Sequence, residues 1–333
     1  MKNSIAKAFY HVGSIASLTP IQKVLPIGSG ILMYHRILPA SEMQNNFSGI
    51  TVSLEMFERQ LKWLSNNKQI ISLDTLISLK DEKQICTSVV LTFDDGYKDN
   101  LTYALPLLEK YKAPATIYIT NRFYKGDSEM WWEELNHILL SHKKLNIEFQ
   151  NKRLSFELNS PSQVDKSYKT LRALFVSLNY GEQKKLLSVL RGQLNPLSFN
   201  NLILDSNEIE FLSKSPLITI GAHTTNHVVL SRQSEEESFT EMTDSRKDLE
   251  NLIKKEVKHF AYPFGSLNEV SAREIKLAEK AGFKTATTTT YGLWQPSTNA
   301  WEIPRIAVKN RTDEVQLEVK LSGFNSFFRG IQI

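Results

Sequence analysis

The sequence predicts an α/β fold: an irregular barrel of about seven parallel strands, with a mainly helical insertion over residues 121–212. Three observations predict it. Short apolar runs rich in β-forming residues alternate with segments of helical periodicity. Those runs read as strands buried on both faces of a parallel sheet. The side chains able to do chemistry fall at the C-terminal ends of the runs, where β/α folds gather their functional groups. A doubly wound open sheet is the alternative. "PIGSG" precedes the first run and has the wrong spacing for a nucleotide-binding turn.

The elements follow in order. "GILMYH", residues 30–35, is the first strand. In "SLEMFERQLKWLSNN", Phe57, Leu61 and Leu64 share one helical face, and "SLDTLISL" suggests another short helix. "TSVVLTF" is the second strand; Leu101, Leu105 and Leu108 then form an apolar stripe that Tyr111 extends. "APATIYIT" is the third strand. The lysine-rich insertion comes next, with "YKTLRALFVSL" and "GEQKKLLSVL" its clearest helices. Strands resume with "PLITIGAH", "VKHFAYP", "FKTATTTT" and "WEIPRIAV". The helix "SLNEVSAREIKLAEKAG" is capped by Ser266 or Asn268 and ended by Gly282.

A chain of 333 residues suits one large domain. The net charge of +4 comes without a basic block interleaved with aromatics, which argues against a nucleic-acid partner. The single cysteine, Cys86, excludes an intrachain disulfide and a thiolate metal cluster, and fits a reducing compartment. No run approaches the roughly eighteen apolar residues of a spanning helix. Residues 1–29 are interrupted by His11, Ser14, Ser17 and Thr19, unlike a signal peptide, and read as a helical extension that packs on the domain or touches a membrane surface weakly. Residues 30–320 form the main domain and 321–333 a tail. The expected location is cytoplasmic, peripheral to the membrane.

Strand ends then supply a candidate site. The first strand ends at His35 and the second at Asp94 and Asp95. The fourth ends at His223, with His227 four residues later, and Arg305 lies near the last. Two imidazoles and one carboxylate are a familiar set for a divalent cation that keeps positions open for water and substrate. Two adjacent carboxylates repel unless they divide the work. One binds the cation; the other accepts a proton, and Gly96 permits the tight turn that brings both into one site.

With those residues in place, the chain resembles the polysaccharide deacetylase family, the carbohydrate esterases that share the NodB homology domain. The resemblance runs from about Gly30 to Val308, with residues 121–212 as an unfamiliar insertion. "TFDDG" at 92–96, "HTTNH" at 223–227 and "YPFG" at 262–265 carry it, in the family's order. It implies a distorted (β/α)7 barrel and metal-dependent removal of acetyl groups from glycans. It implies Asp94 as general base, and Asp95, His223 and His227 as ligands of Zn2+, with Co2+, Ni2+ or Fe2+ as substitutes.

Two positions depart from the family pattern. Ala261 stands where an arginine usually braces the base, and "IPRIAV" lacks the usual leucine-x-histidine general acid. "ILMYHRI" resembles the poly-N-acetylglucosamine deacetylase branch, in which an N-terminal histidine takes the acid's place; this makes His35 the candidate acid. Arg305 is the candidate to brace Asp94 or bind substrate, with Tyr262, Pro263 and Phe264 beside it. The implied substrate is an N-acetylated oligosaccharide, glycolipid or nucleotide-linked sugar. The alternatives are an O-acetyl esterase on a glycan and a carbohydrate-binding protein with a decayed site. Trp131 and Trp132 either stack on sugar rings or pin the insertion to the barrel.

Overall fold

In the computed structural model, residues 28–43, 49–126, 129–192 and 201–323 are described. The extension at 1–27 and the tail beyond 323 lie outside them.

Seven strands form one parallel sheet. They are β1 (Gly30–Tyr34), β2 (Ser88–Phe93), β3 (Ala115–Ile119), β4 (Ile218–Ala222), β5 (His259–Ala261), β6 (Thr285–Thr287) and β7 (Ile306–Ala307). Their order is β6-β5-β4-β3-β2-β1-β7, every pairing is parallel, and a short strand at Gln69–Ile70 pairs with β2. The sheet curls until its edges approach. Ile303, just ahead of β7, donates to the Ala286 carbonyl at 2.9 Å, and Thr288 donates back to Ile303 at 2.8 Å. The result is the distorted (β/α)7 barrel that the alternating pattern predicted.

The helices flank the sheet. They include α1 (Leu54–Asn67), α2 (Trp131–Ser141), α3 (Pro161–Ser177), α4 (Tyr180–Arg191), α5 (Glu235–Ile253) and α6 (Ala272–Lys280). The Ser53 hydroxyl caps α1, whose Phe57, Leu61 and Leu64 are buried as their spacing required. The start of α6 differs from expectation. Ser271, not Ser266 or Asn268, is its N-cap, in a reciprocal capping box with Glu274. Ser266 instead turns its hydroxyl to Glu269 within the preceding turn. Gly282, at φ +82°, follows the last helical turn in the left-handed conformation glycine favours.

The insertion is mainly helical, as the sequence predicted, with one addition. Between α2 and α3 it holds an antiparallel hairpin, Lys144–Phe149 with Lys152–Glu157. Gln150 and Asn151 make the turn with positive φ angles of 48° and 60°, as a two-residue hairpin turn requires. Leu145, Ile147 and Phe149 point inward at every second position. They join Leu135, Leu171 and Leu186 in a core separate from the one under the barrel. No helix among the described residues is long and apolar enough to cross a membrane.

Candidate active site

Strand register assembles the site. β1 pairs with β2 so that Tyr34 faces Phe93. The next residues, His35 and Asp94, therefore leave the sheet side by side, and the Asp94 amide donates to the Tyr34 carbonyl at 3.0 Å. On the neighbouring pair, the His223 amide donates to the Ile119 carbonyl at 2.9 Å, holding the start of "HTTNH" beside the two acids. The loops here are strained. Asp95, Thr224, His227 and Phe264 all take positive φ angles, of 75°, 63°, 55° and 62°. Such angles cost about 1 kcal/mol or more each for residues with a Cβ, and they persist where surrounding contacts fix them.

Asp95, His223 and His227 converge. Asp95 Oδ1 lies 3.4 Å from His223 Nε2 and 3.1 Å from His227 Nε2, and all three residues are buried. Ligands held about 2.1 Å from one cation sit roughly 3–3.5 Å apart, so the spacing suits a shared ion. Asp95 Oδ1 has no hydrogen-bond donor among the described residues, an arrangement that a cation would complete. Burial alone would raise the Asp95 carboxyl, but the two imidazoles outweigh it and hold the group well below the ordinary carboxylate value. His223 Nδ1 donates to the Ala261 carbonyl at 2.7 Å, which leaves Nε2 as the lone-pair nitrogen facing Asp95. Burial pushes the His227 imidazole down from its ordinary value, which favours the neutral, ligating form. The residues present fit a His2Asp centre for a divalent metal.

Asp94 has a different partner. Arg305 grips both its oxygens, with Nη1 to Oδ1 at 2.7 Å and Nη2 to Oδ2 at 2.8 Å. The same guanidinium donates to Thr92 Oγ1 and to the Thr288 carbonyl, and it is fully buried. Arg305 directly precedes β7, and its guanidinium lies 5.6 Å over the buried Tyr118 ring as it reaches Asp94. Burial would raise the Asp94 carboxyl, but Arg305, with smaller help from His223 and His35, brings it below the usual value. His35 Nε2 lies 3.9 Å from Asp94 Oδ2 and its side chain keeps 20% exposure. The His35 carbonyl is anchored by Asn100 Nδ2 at 2.8 Å.

Above these groups lies a cavity of about 270 Å³. His35, Asp94, Asp95, His223, His227 and Phe264 line it from the barrel; Trp131, Trp132, Tyr168 and Arg172 line it from the insertion. Of the two roles the sequence left open for the tryptophans, the contacts show the pinning of the insertion to the barrel, and both residues also line the cavity. Trp131 stacks on Phe175 within the insertion, with ring centroids 4.4 Å apart, and reaches the barrel at Phe264, 6.1 Å away; Trp132 reaches it at His227. Tyr262 corrects an expectation. It is buried with its hydroxyl on the Trp301 carbonyl at 2.9 Å and does not line the cavity, because β5 turns it into the core. Pro263 is likewise not among the lining residues; its carbonyl accepts from the Gly265 amide at 2.7 Å, closing the turn that presents Phe264. His259 is buried against Thr285, a structural role.

Sequence reasoning missed a polar cluster behind this wall. Arg36 donates to Asp99 at 3.0 Å and reaches Glu133 at 3.4 Å, and the Tyr97 hydroxyl donates to Glu133 at 3.0 Å. All four are buried. The signal was present in "YKDN" and "WWEEL", polar residues flanking the motif and the tryptophans, but their pairing depends on how the insertion folds.

Comparison with known proteins agrees with this geometry. A family model described as polysaccharide deacetylase matches residues 81–150 and 164–286, more than half of the chain. A poly-beta-1,6-N-acetyl-D-glucosamine N-deacetylase of Staphylococcus aureus (strain MSSA476) is 25% identical over 290 residues, covering 84% of this chain and 78% of that protein. Among solved structures, the Streptococcus pyogenes deacetylase PplD in complex with acetate is similar at a TM-score of 0.60 and 18% identity, over 89% of this chain and 99% of that one. IcaB from Ammonifex degensii is similar at a TM-score of 0.57 and 16% identity, over 90% and 98%. At these identities the two structures speak to the fold.

Proposed function

The chain belongs to the polysaccharide deacetylase family, and from that premise we propose that it removes an acetyl group from an N-acetylated sugar in a glycan or glycan precursor. The observation that carries the reading is the pairing of two acids with two partners. Asp95 joins His223 and His227, while Asp94, one residue earlier, joins Arg305 and faces His35. A decayed binding protein would have no reason to keep both sets.

A divalent cation held by Asp95, His223 and His227, zinc in this proposal, would polarise the acetyl carbonyl and ease the deprotonation of water. Asp94 takes the proton from the attacking water. Arg305 keeps Asp94 ionised and fixes the direction of its lone pairs. The Phe264 backbone N–H is the candidate donor to the oxygen that gains charge. His35 protonates the departing nitrogen, the step an amine needs in order to leave. Acetate and a free amine result, with the water's oxygen in the acetate.

The substrates that suit this proposal are an N-acetylated oligosaccharide, a glycolipid or a nucleotide-linked sugar. The Staphylococcus aureus relative supports a poly-N-acetylglucosamine-like chain. The proposed location is cytoplasmic, peripheral to the membrane. The test is acetate release from N-acetylglucosamine oligomers after chelation, with and without added zinc. Zinc-dependent release that disappears in Asp94→Ala is the expected result. Release that is indifferent to chelation would overturn the reading.

A further inference from the structure

The two histidines of the centre are oriented by different means. His223 has a hydrogen bond on its far nitrogen, to the Ala261 carbonyl. His227 has none: its Nδ1 is buried with no partner among the described residues. A metal-ligating imidazole ordinarily donates its second N–H to a carbonyl, carboxylate or water, which sets the ring plane. Packing must set it here.

The packing is aromatic. The Trp132 ring is centred 4.6 Å from the His227 ring, Phe264 5.0 Å and Phe123 5.8 Å. Trp132 is the nearest of the three, and it is itself tethered. Its Nε1 donates to the Tyr97 hydroxyl at 2.8 Å. That hydroxyl donates onward to Glu133 Oε1 at 3.0 Å, and the Arg36 guanidinium lies 4.8 Å over the Tyr97 ring. Tyr97 is fully buried and lies two residues after Asp95, on the same turn. Its hydroxyl therefore links the turn that carries one ligand to the ring that packs on another.

We propose that Tyr97 is a positioning residue for the metal centre: by fixing Trp132, it sets the ring plane of His227 and hence the affinity and symmetry of the site. The insertion is then part of the centre, because Trp132 and Glu133 belong to α2. The inference rests on Asp95, His223 and His227 holding a cation, and the experiment separates the two ideas.

Tyr97→Phe deletes one oxygen and keeps the ring. Zinc affinity is measured by competition against a chromophoric chelator, and the cobalt-substituted protein is examined by visible absorption. Loss of a second-layer partner typically costs about tenfold to hundredfold in metal affinity. The expected result is a loss in that range with a changed cobalt spectrum. Trp132→Phe, which keeps a ring but cuts the same tether, should reproduce both. It also serves as the reporter if Tyr97→Phe does not fold. Wild-type affinity and an unchanged spectrum in the folded variant overturn the proposal. Absence of zinc binding in the wild-type protein would instead defeat the reading of the centre itself.

Discussion

Arg305 holds both oxygens of Asp94 although 211 residues separate them in sequence. The pair is buried, the arginine fully, with the arginine donating also to Thr92 and Thr288. Removing one partner from such a pair strands a buried charge and typically costs about 3–5 kcal/mol. Arg305→Met should lower stability by that order, read as a reduced urea midpoint at unchanged slope. Under the proposed mechanism kcat/KM should also fall, by about a hundredfold or more, since an unbraced base is both harder to ionise and misdirected.

The Arg36 cluster makes stability depend on pH. Burial raises the Asp99 carboxyl to about 6, more than Arg36 and the Ile37 amide lower it. A carboxyl raised in the folded state adds stability at low pH, and loses it as the pH climbs through the folded value. The native protein should therefore become less stable between about pH 4 and pH 6 on this account, by an amount on the order of 2–3 kcal/mol. Asp99→Asn retains an acceptor for Ile37 and should flatten that segment of a stability-against-pH curve. An unaltered slope would count against the assignment.

Binding a cation to Asp95, His223 and His227 should stabilise the fold. At a hundredfold excess over Kd the gain is about 2.7 kcal/mol. Thermal unfolding of chelated protein should move upward on zinc addition. Asp95→Ala should abolish the increment, because it removes the one carboxylate of the set.

Gly96 serves the turn between the acids and Tyr97. Its φ is +75°, and an added Cβ would lie 2.9 Å from Ile119 Cδ1. Gly96→Ala should cost about 1–2 kcal/mol from the left-handed backbone alone, with further loss from displacing Ile119. Denaturation measures the first effect; metal affinity shows whether the turn has shifted Asp95.

His35→Ala separates two chemistries. If His35 protonates a leaving amine, amide cleavage should drop about a hundredfold or more. An acetyl ester leaves more readily and should suffer less. Paired amide and ester substrates give the ratio, and equal losses on both would remove His35 from the acid role.

The residues that meet at the site were legible because strands are legible. His35, Asp94 and His223 each end an apolar run, and parallel strands place such ends on one rim. His227 followed from its spacing. Arg305 was legible only as a choice, to brace Asp94 or to bind substrate; that its guanidinium holds both Asp94 oxygens while buried could not be read from its place near the last strand. Tyr262 shows the converse, since adjacency to a motif does not put a side chain in a cavity. Sequence reasoning missed the hairpin at 144–157 although Leu145, Ile147 and Phe149 alternate with Asn146 and Glu148, because the stronger helical periodicity on its C-terminal side dominates the insertion. The tether from Tyr97 through Trp132 to His227 joins three segments, and nothing local in the sequence announces it.

The separate core of the insertion has an evolutionary consequence. Trp131, Tyr168 and Arg172 face the cavity from α2 and α3, whose inner faces pack on their own hairpin and helices. Asp94, Asp95 and His223, by contrast, directly follow strands of the barrel, and Arg305 directly precedes one. One wall of the cavity could therefore be exchanged without moving Asp94, Asp95, His223 or Arg305, and under the proposed function that exchange would change which sugar fits. Trp132 limits that freedom under the proposed tether, because a replacement wall would then have to bring a ring against His227 as well.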